Sequence, residues 1–263
     1  GRLLWYPVDY KVNDYDITAI SYHIDDDLLS VGSTSFGVTK IDSTSTQVAT
    51  ATTTGTNIVS IGVTYRSAKI LVNIRGDNSV VSGGEFEFDE FNLIHDGTTV
   101  DVTEFGNLLT EVEASDDASA GLGTYSAYID GANVKLDWFP SQTHAGIGTT
   151  AVVNTIQVSM AATGSLGAQG TIDLKHGRFQ STPTGIASTT SPSVNVIGEY
   201  VTQASSVVDG YDAAYFIVQL TDTNQTGTSE MFEGLVIDDY RLDTDSGDSY
   251  ETFYGNVGTS GIG

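Results

Sequence analysis

The densest run of hard oxygen ligands in the sequence is Asp243-Thr-Asp-Ser-Gly-Asp-Ser-Tyr-Glu251. Asp243, Asp245 and Asp248 alternate about a tight glycine turn, which suits a hard cation such as calcium. In an EF-hand loop the glycine follows the third ligand, whereas here Gly247 precedes Asp248. The segment is read first as a solvated turn, with calcium as its one cofactor candidate. Asp25-Asp-Asp27 and Asp116-Asp117 receive the same reading. No other metal site and no cofactor are expected.

Nothing else in the chain spells out a reaction. The four histidines are His23, His95, His144 and His176, and none stands in an H-x-H or H-E-x-x-H pair. His95 precedes a turn, and its counterpart in a repeat described below is Asp238, so a catalytic role would not survive the exchange. Cysteine is absent, which removes thiolate nucleophiles, thiolate zinc sites and disulfides. There is no G-x-S-x-G elbow. Gly164-Ser-Leu-Gly-Ala-Gln-Gly170 shares only its glycines with a phosphate loop and opens no helix. Glycoside hydrolysis needs two carboxylates at a set separation, and among 34 acids only geometry can pick a pair. No catalytic residue is assigned, and the chain is read as a non-enzyme.

Aromatic side chains offer a second chemistry, stacking on sugar rings. Trp5-Tyr6 and Trp138-Phe139 sit at strand ends. Trp5 and Trp138 share parity with Leu3 and Leu136 and are therefore expected in a core. Tyr6 and Phe139 then point outward, as contacts between modules or as surface aromatics.

The elements that would carry these residues are strands. Tyr125, Ala127 and Ile129 alternate on one face, and Val134, Leu136 and Trp138 on another, with Asp130-Gly131 as a hairpin turn between them. Asp96-Gly97 is a second turn, between Phe91–His95 and Thr98–Phe105. Ile156, Val158 and Met160 alternate in a later strand. Phe86 and Phe88 slip by one against Phe91 and Leu93, which predicts a bulge near Asp89-Glu90. The loops at 111–120, 141–150 and 161–170 are long, polar and expected to be mobile, and the Ser/Thr/Pro-rich Ser181–Ser193 is read either as a linker-like connection or as an inter-strand loop.

The strands recur. Gly-Arg-Leu-Leu-Trp-Tyr-Pro (1–7) echoes Val-Lys-Leu-Asp-Trp-Phe-Pro (134–140), and these hold the only two Trp residues. Tyr65–Ile74 lines up with Tyr211–Leu220, so that Ile70, Val72 and Ile74 match Phe216, Val218 and Leu220. Asn92–Asp96 matches Leu235–Asp239, Glu104–Asn107 matches Phe253–Asn256, and Gly121–Gly123 matches Gly261–Gly263. A period of roughly 140 residues is domain-sized, well beyond solenoid repeats of about 20–50. The expected fold is all-β: tandem β-sandwich modules, Ig-like or jelly-roll-like, of about nine or ten strands each. Residues 1–16 read as the last strands of a preceding module, 17–165 as a complete module, and 166–263 as a second module lacking its final strands. Two readings of that phase stay open. The chain is a window on a longer array, or one copy completes another by strand exchange.

Composition narrows the partners. Thirty-four acidic against ten basic residues give a net charge of -24, which repels a phosphate backbone and an anionic membrane surface. No apolar stretch is long enough for a membrane span, and the N-terminus shows no basic region followed by an apolar run. Such charge favours solubility and costs little in a salty medium such as seawater, where screening shortens toward ~3 Å at ~1 M salt.

Four segments carry a resemblance: Leu-Ile-His-Asp-Gly-Thr-Thr-Val (93–100), Thr-Glu-Phe-Gly (103–106), Gly-Leu-Gly-Thr-Tyr (121–125) and Asp-Gly-Ala-Asn-Val-Lys-Leu (130–136). Together they resemble the tandem β modules in large virion structural proteins of contractile-tailed marine cyanophages. Ala-Tyr-Phe-Ile-Val-Gln-Leu-Thr-Asp-Thr (214–223) fits the same pattern, whereas Asp238-Asp-Tyr-Arg-Leu departs from it. The resemblance implies a non-enzymatic role on the virion exterior: a tail fibre, appendage or surface decoration acting as spacer and scaffold. Its partners would be other copies or modules of the same protein, other virion proteins and a host surface glycan. The alternatives are a bacterial extracellular adhesin or filament of β-sandwich repeats, and a carbohydrate-binding module.

Overall fold

The computed structural model describes residues 32–76, 85–110, 121–142, 147–161, 170–174, 177–181, 213–221, 229–239 and 248–258. Trp5, Tyr6, His23, His144, His176, Asp243 and Asp245 lie outside them, as do the acidic runs 25–27 and 116–117, the loop 111–120 and most of 181–193.

Among the described residues all regular structure is extended, as a composition rich in Val, Ile, Thr and Tyr with few helix formers dictates. Fourteen strands run in order: β1 Gly32–Phe36, β2 Thr39–Ala49, β3 Thr56–Gly62, β4 Tyr65–Gly76, β5 Glu85–His95, β6 Val100–Leu109, β7 Gly123–Asp130, β8 Asn133–Pro140, β9 Thr150–Ala161, β10 Gly170–Leu174, β11 Gly177–Ser181, β12 Ala213–Thr221, β13 Ser229–Asp239 and β14 Asp248–Gly258. They form antiparallel sheets in the orders β1-β2-β9-β4-β5-β6, β3-β8-β7, β12-β13-β14 and β10-β11.

The main core lies between the six-stranded sheet and β3-β8-β7. Ile70, Val72 and Ile74 of β4, Phe91 and Leu93 of β5, and Ala151 and Val153 of β9 meet Ile58 and Ile61 of β3 and Val134, Leu136 and Trp138 of β8. This is a β-sandwich, two sheets burying their alternating apolar faces against each other. Tyr125, Ala127 and Ile129 of β7 pack against the same core, so the alternation read from the sequence holds in both strands of this hairpin. The turn between them is Gly131-Ala132, with Asp130 paired to Asn133 at the strand ends.

Trp138 is wholly buried. Gly123 on the paired strand makes room for it: a β-carbon there would lie 2.5 Å from the Phe139 carbonyl oxygen and closer still to the indole nitrogen. Phe139 points away from that core, as its parity with Trp138 predicts, and is half-buried: its ring covers Gly55 in the β2–β3 connection and leaves no space for a β-carbon there. The described part of the 141–150 loop is also anchored rather than loose. Ile147 enters the core, Thr50 Oγ1 donates to the Gly148 carbonyl at 2.5 Å, and Gln142 Nε2 donates to the carbonyls of Thr50 and Thr52 at 3.0 Å.

The expected bulge sits on the neighbouring strand. The β4–β5 register runs unbroken from Ser67↔Ile94 to Gly76↔Glu85. The break lies in β5–β6 between Glu90 and Phe91, where Phe105 of β6 is the extra residue. Phe86 and Phe88 therefore do face away from Phe91 and Leu93, and β5 exchanges its apolar face halfway along. In β9 the order is again reversed from simple expectation. Ile156, Val158 and Met160 are half-buried on the outer face, while Thr155, Gln157 and Ser159 are buried on the core side. A polar seam accommodates them there: Thr155 bonds Thr44 at 2.6 Å, and Thr44 Oγ1 donates to the Ile58 carbonyl at 2.9 Å.

The second face of the six-stranded sheet is covered by β12-β13-β14. Ile94 of β5 packs there with Met231 of β13 and Val257 of β14, flanked by Met160 and Ile217. Segments that echo one another in sequence hold matching positions in these sheets. Lys69 pairs with Asn92, and their counterparts Tyr215 and Leu235 pair with each other. Phe91 pairs with Glu104 as Gly234 pairs with Phe253. The Phe253 ring lies over Gly234, so an aromatic on one strand fills what the glycine opposite leaves empty.

Candidate functional site

Two groups of carboxylates, neither visible as a motif, come together on opposite faces of β5. On the core face Glu85, Glu87 and Asp89 follow one another at the strand period of two, all buried. Asn107 of β6 bridges two of them, its Nδ2 donating to Glu87 Oε1 at 2.7 Å and to Asp89 Oδ1 at 2.6 Å. The Leu122 backbone N–H donates to Glu87 Oε2 at 2.6 Å, and the Tyr125 hydroxyl donates to Asp89 Oδ2. Leu122 reaches Glu87 because Gly121 takes a left-handed φ of 62° directly over that carboxylate. Burial, then the charge of Glu87, pushes the Asp89 carboxyl up to about 7, against the pull of its Tyr125 and Asn107 hydrogen bonds. Burial and Asp89 push the Tyr125 phenol up in turn. These acids are bonded into the sandwich, so this cluster ties β5, β6 and β7 together.

On the outer face Lys69 of β4 is 6% exposed. Its ammonium binds Glu90 of β5 and, at 2.6 Å, Glu233 Oε2 of β13. The Phe105 and Tyr215 ring centroids lie 4.9 and 5.5 Å from it, and the Tyr215 hydroxyl donates to Glu233. Burial raises the Glu233 carboxyl above its ordinary range, while the bond to Lys69 opposes that rise. Glu90 and Glu233 occupy corresponding positions in the two echoing strands, and Phe105 meets its own counterpart Tyr254 edge-on at 6.2 Å. Asn92 Nδ2 closes the group by donating to the Gly255 carbonyl at 2.6 Å.

Beside this cluster opens a cleft of about 250 Å³ lined by Lys69, Leu71, Phe88, Glu90, Tyr215 and Tyr254. Ligand pockets start at about 300 Å³, so this cleft falls short of one. Glu90 and Glu233 also fail as a glycosidase pair. Such a pair keeps sugar and water between its carboxyl groups, whereas here an ammonium occupies the space.

His95 is buried, with Nε2 2.7 Å from the Tyr65 carbonyl and Nδ1 accepting from the Gly97 backbone N–H at 3.1 Å. An accepting Nδ1 leaves the proton on Nε2, so the ring is neutral and braces the β5–β6 turn. Burial lowers its pKa. That turn spans Asp96–Thr99, two residues more than the sequence suggested, with Asp96 Oδ1 accepting from the N–H groups of Thr98 and Thr99. Of the calcium candidates only Asp248 is within a described strand, paired with Asp239 at the start of β14. Among the described residues no group of three or more His, Cys, Asp or Glu side chains is placed to hold a metal ion.

No family model and no curated protein matches the chain. Among solved structures, the tailspike protein of Acinetobacter baumannii phage AM24 is similar with a TM-score of 0.35 and 8% identity, over 49% of this chain. The matched region spans 27% of the tailspike. A likeness of that size does not establish a shared fold.

Proposed function

We propose that this chain is a non-enzymatic structural segment on the exterior of a phage particle, part of a fibre, appendage or surface decoration. It serves as spacer and scaffold for host attachment, and its partners are further copies or modules of the same protein and other virion proteins. The observation that carries this reading is the agreement between sequence echo and strand register, Lys69↔Asn92 with Tyr215↔Leu235. A chain that repeats a three-stranded unit and packs the copies against each other is built for extension. Its buried charged groups are consumed in holding strands and sheets together, which suits a load-carrying element. The net charge of -24 keeps many copies soluble and apart from nucleic acid. Weak host contacts presented by many copies would gain strength through avidity.

The test is negative-stain imaging of the assembled protein together with a screen for polysaccharide cleavage. Beaded rods without hydrolysis support the reading. A compact particle that cleaves glycans overturns it.

A second reading, a glycan-binding module, is favoured by one feature. Tyr254 is 37% exposed beside the Lys69 cleft, an aromatic next to charged groups of the kind that grips a sugar. A glycan array with the Tyr254→Ala variant as control decides it. An adhesin or filament of a bacterial surface would share the same architecture, and an anchoring segment in the source gene would favour it.

A further inference from the structure

The Lys69 cluster holds more chemistry than an ion pair uses. One ammonium meets two carboxyl groups, Glu90 of β5 and Glu233 of β13. Two carboxylates against one ammonium leave one negative charge in excess. Lys69 and Glu233 are both buried, and the Phe105 and Tyr215 rings flank the ammonium at 4.9 and 5.5 Å. An excess charge without water around it is relieved by taking up a proton. Glu233 is the carboxyl that burial favours in the protonated form, against the pull of Lys69 and Asn92. Glu90 is the more open of the two, its side chain 28% exposed against 0%. An amine attacks a neutral carboxylic acid and not a carboxylate. The cluster therefore brings together a nucleophile, a neutral acid 2.6 Å from it, and a second carboxylate on the same nitrogen to take a proton. The Tyr215 hydroxyl donates to Glu233 Oε2, where negative charge develops on attack.

We propose that Lys69 and Glu233 condense into an amide, a covalent cross-link between β4 and β13 that the folded chain makes by itself. The Nζ–Cδ bond forms and the Cδ–Oε1 bond of Glu233 breaks, while Oε2 stays as the amide oxygen held by Tyr215. Of the three ammonium protons one remains on the amide nitrogen and one passes to Glu90. The third leaves with Oε1 and the proton already on it, as water, through the cleft that Lys69 and Glu90 line. Nothing is oxidised or reduced, and no other reactant is consumed. In water, ionisation of both partners opposes such a condensation. Here burial opposes the ionised forms, and a neutral amide replaces a pair whose desolvation is costly. The ion pair seen in the structure is the reacting state. The product joins residues 164 apart in sequence, so the two sheets cannot part without breaking a covalent bond. Such a tie suits the load-carrying segment proposed above, and the mass of the chain tests the bond independently of that role.

The test is the intact mass of the full chain, followed by digestion with trypsin. The expected mass falls below that of the sequence by one water. The expected digest holds a branched peptide in which Ser67–Arg75, uncut at Lys69, is joined to Phe179–Arg241. The branch is needed because ring closure at an Asp-Gly step also removes one water. Lys69→Arg should restore the full sequence mass and lose the branch. Glu90→Gln keeps Lys69 and Glu233 but removes the proton acceptor, and should leave most chains unlinked as purified. Trp138 emission, unchanged in both variants, reports that the sandwich stays folded. A parent chain at full sequence mass overturns the proposal, whatever the variants do. A deficit of one ammonia, or a branch at Asn92 or Glu90, overturns Glu233 as the acceptor.

Discussion

Lys69 and Glu233 form an ion pair at 2.6 Å across the interface between the six-stranded sheet and β12-β13-β14, with the Glu233 side chain wholly buried. They stand 164 residues apart in sequence. An ion pair of this kind yields little net stability when intact, since desolvation offsets attraction, but removing one partner strands a buried charge. Lys69→Met should therefore destabilise the chain by about 3–5 kcal/mol in urea unfolding. Glu233→Gln should cost less, because Lys69 keeps Glu90 and the amide oxygen still accepts from Tyr215. Equal losses in the two variants would show that the pair is not desolvated as described.

Asp89 should make the protein more stable in mild acid. Its carboxyl stands at about 7 in the folded chain against an ordinary 3.8, so the folded state binds the extra proton between those values. Stability from this group is fully present below 3.8, declines as pH rises and is lost above about 7. Glu87, Glu104 and Tyr125 are the titratable groups that act on it, the two carboxylates raising its pKa and the Tyr125 hydrogen bond lowering it. Asp89→Asn keeps the Asn107 contact and should remove this slope, read as urea midpoints from pH 4 to pH 8. An unchanged slope would place the titrating proton elsewhere.

His95 should act in the opposite sense. Its folded pKa is lowered from the ordinary 6.5, so the unfolded chain takes up the proton first and stability is lost as pH falls below 6.5. The two groups partly cancel in the parent protein. In the Asp89→Asn background the His95 slope should run only against the contribution of Glu233, whose carboxyl is also raised, and His95→Gln should abolish the His95 part.

Gly123→Ala should destabilise the sandwich by about 1–3 kcal/mol, the usual cost of overpacking. The new methyl collides with the Trp138 indole and the Phe139 carbonyl, and neither can retreat. Thermal unfolding followed by Trp138 emission measures it. A melting temperature equal to the parent's would mean that β7 and β8 can separate freely.

A chelator should leave the melting temperature unchanged. A calcium site at Asp243, Asp245 and Asp248 would stabilise the folded chain in proportion to the logarithm of calcium concentration. A rise on titrating calcium would assign those residues as ligands.

Much of the first sandwich was legible before any coordinates. Tyr125–Ile129 and Val134–Trp138 alternate because a strand's side chains alternate, and one face of each is buried. The hairpin between them announces itself in Asp-Gly, and Trp138 declares its burial by parity with Leu136. The bulge left its mark in β5, where Phe86 and Phe88 change sides relative to Phe91 and Leu93. The sequence could not say that the extra residue belongs to β6, since a bulge is a property of a pair of strands. Nor could it show Phe139 folding over Gly55 or Ile147 entering the core, because both depend on contacts between distant segments. The two carboxylate clusters were hidden for a further reason. Glu87 and Asp89 sit on a strand face that elsewhere holds Phe91 and Leu93, and nothing local marks them as buried. Their partners Asn107, Leu122 and Tyr125 arrive from other strands. Lys69, Glu90 and Glu233 are ordinary surface residue types until a second sheet removes water from them. Composition and local periodicity determined the strands and, in β7 and β8, which face is buried, because those follow from backbone geometry and side-chain type; in β9 they did not. Only the tertiary structure decided which charges are desolvated and what they bind, because desolvation depends on everything packed around a group and not on its neighbours in the chain.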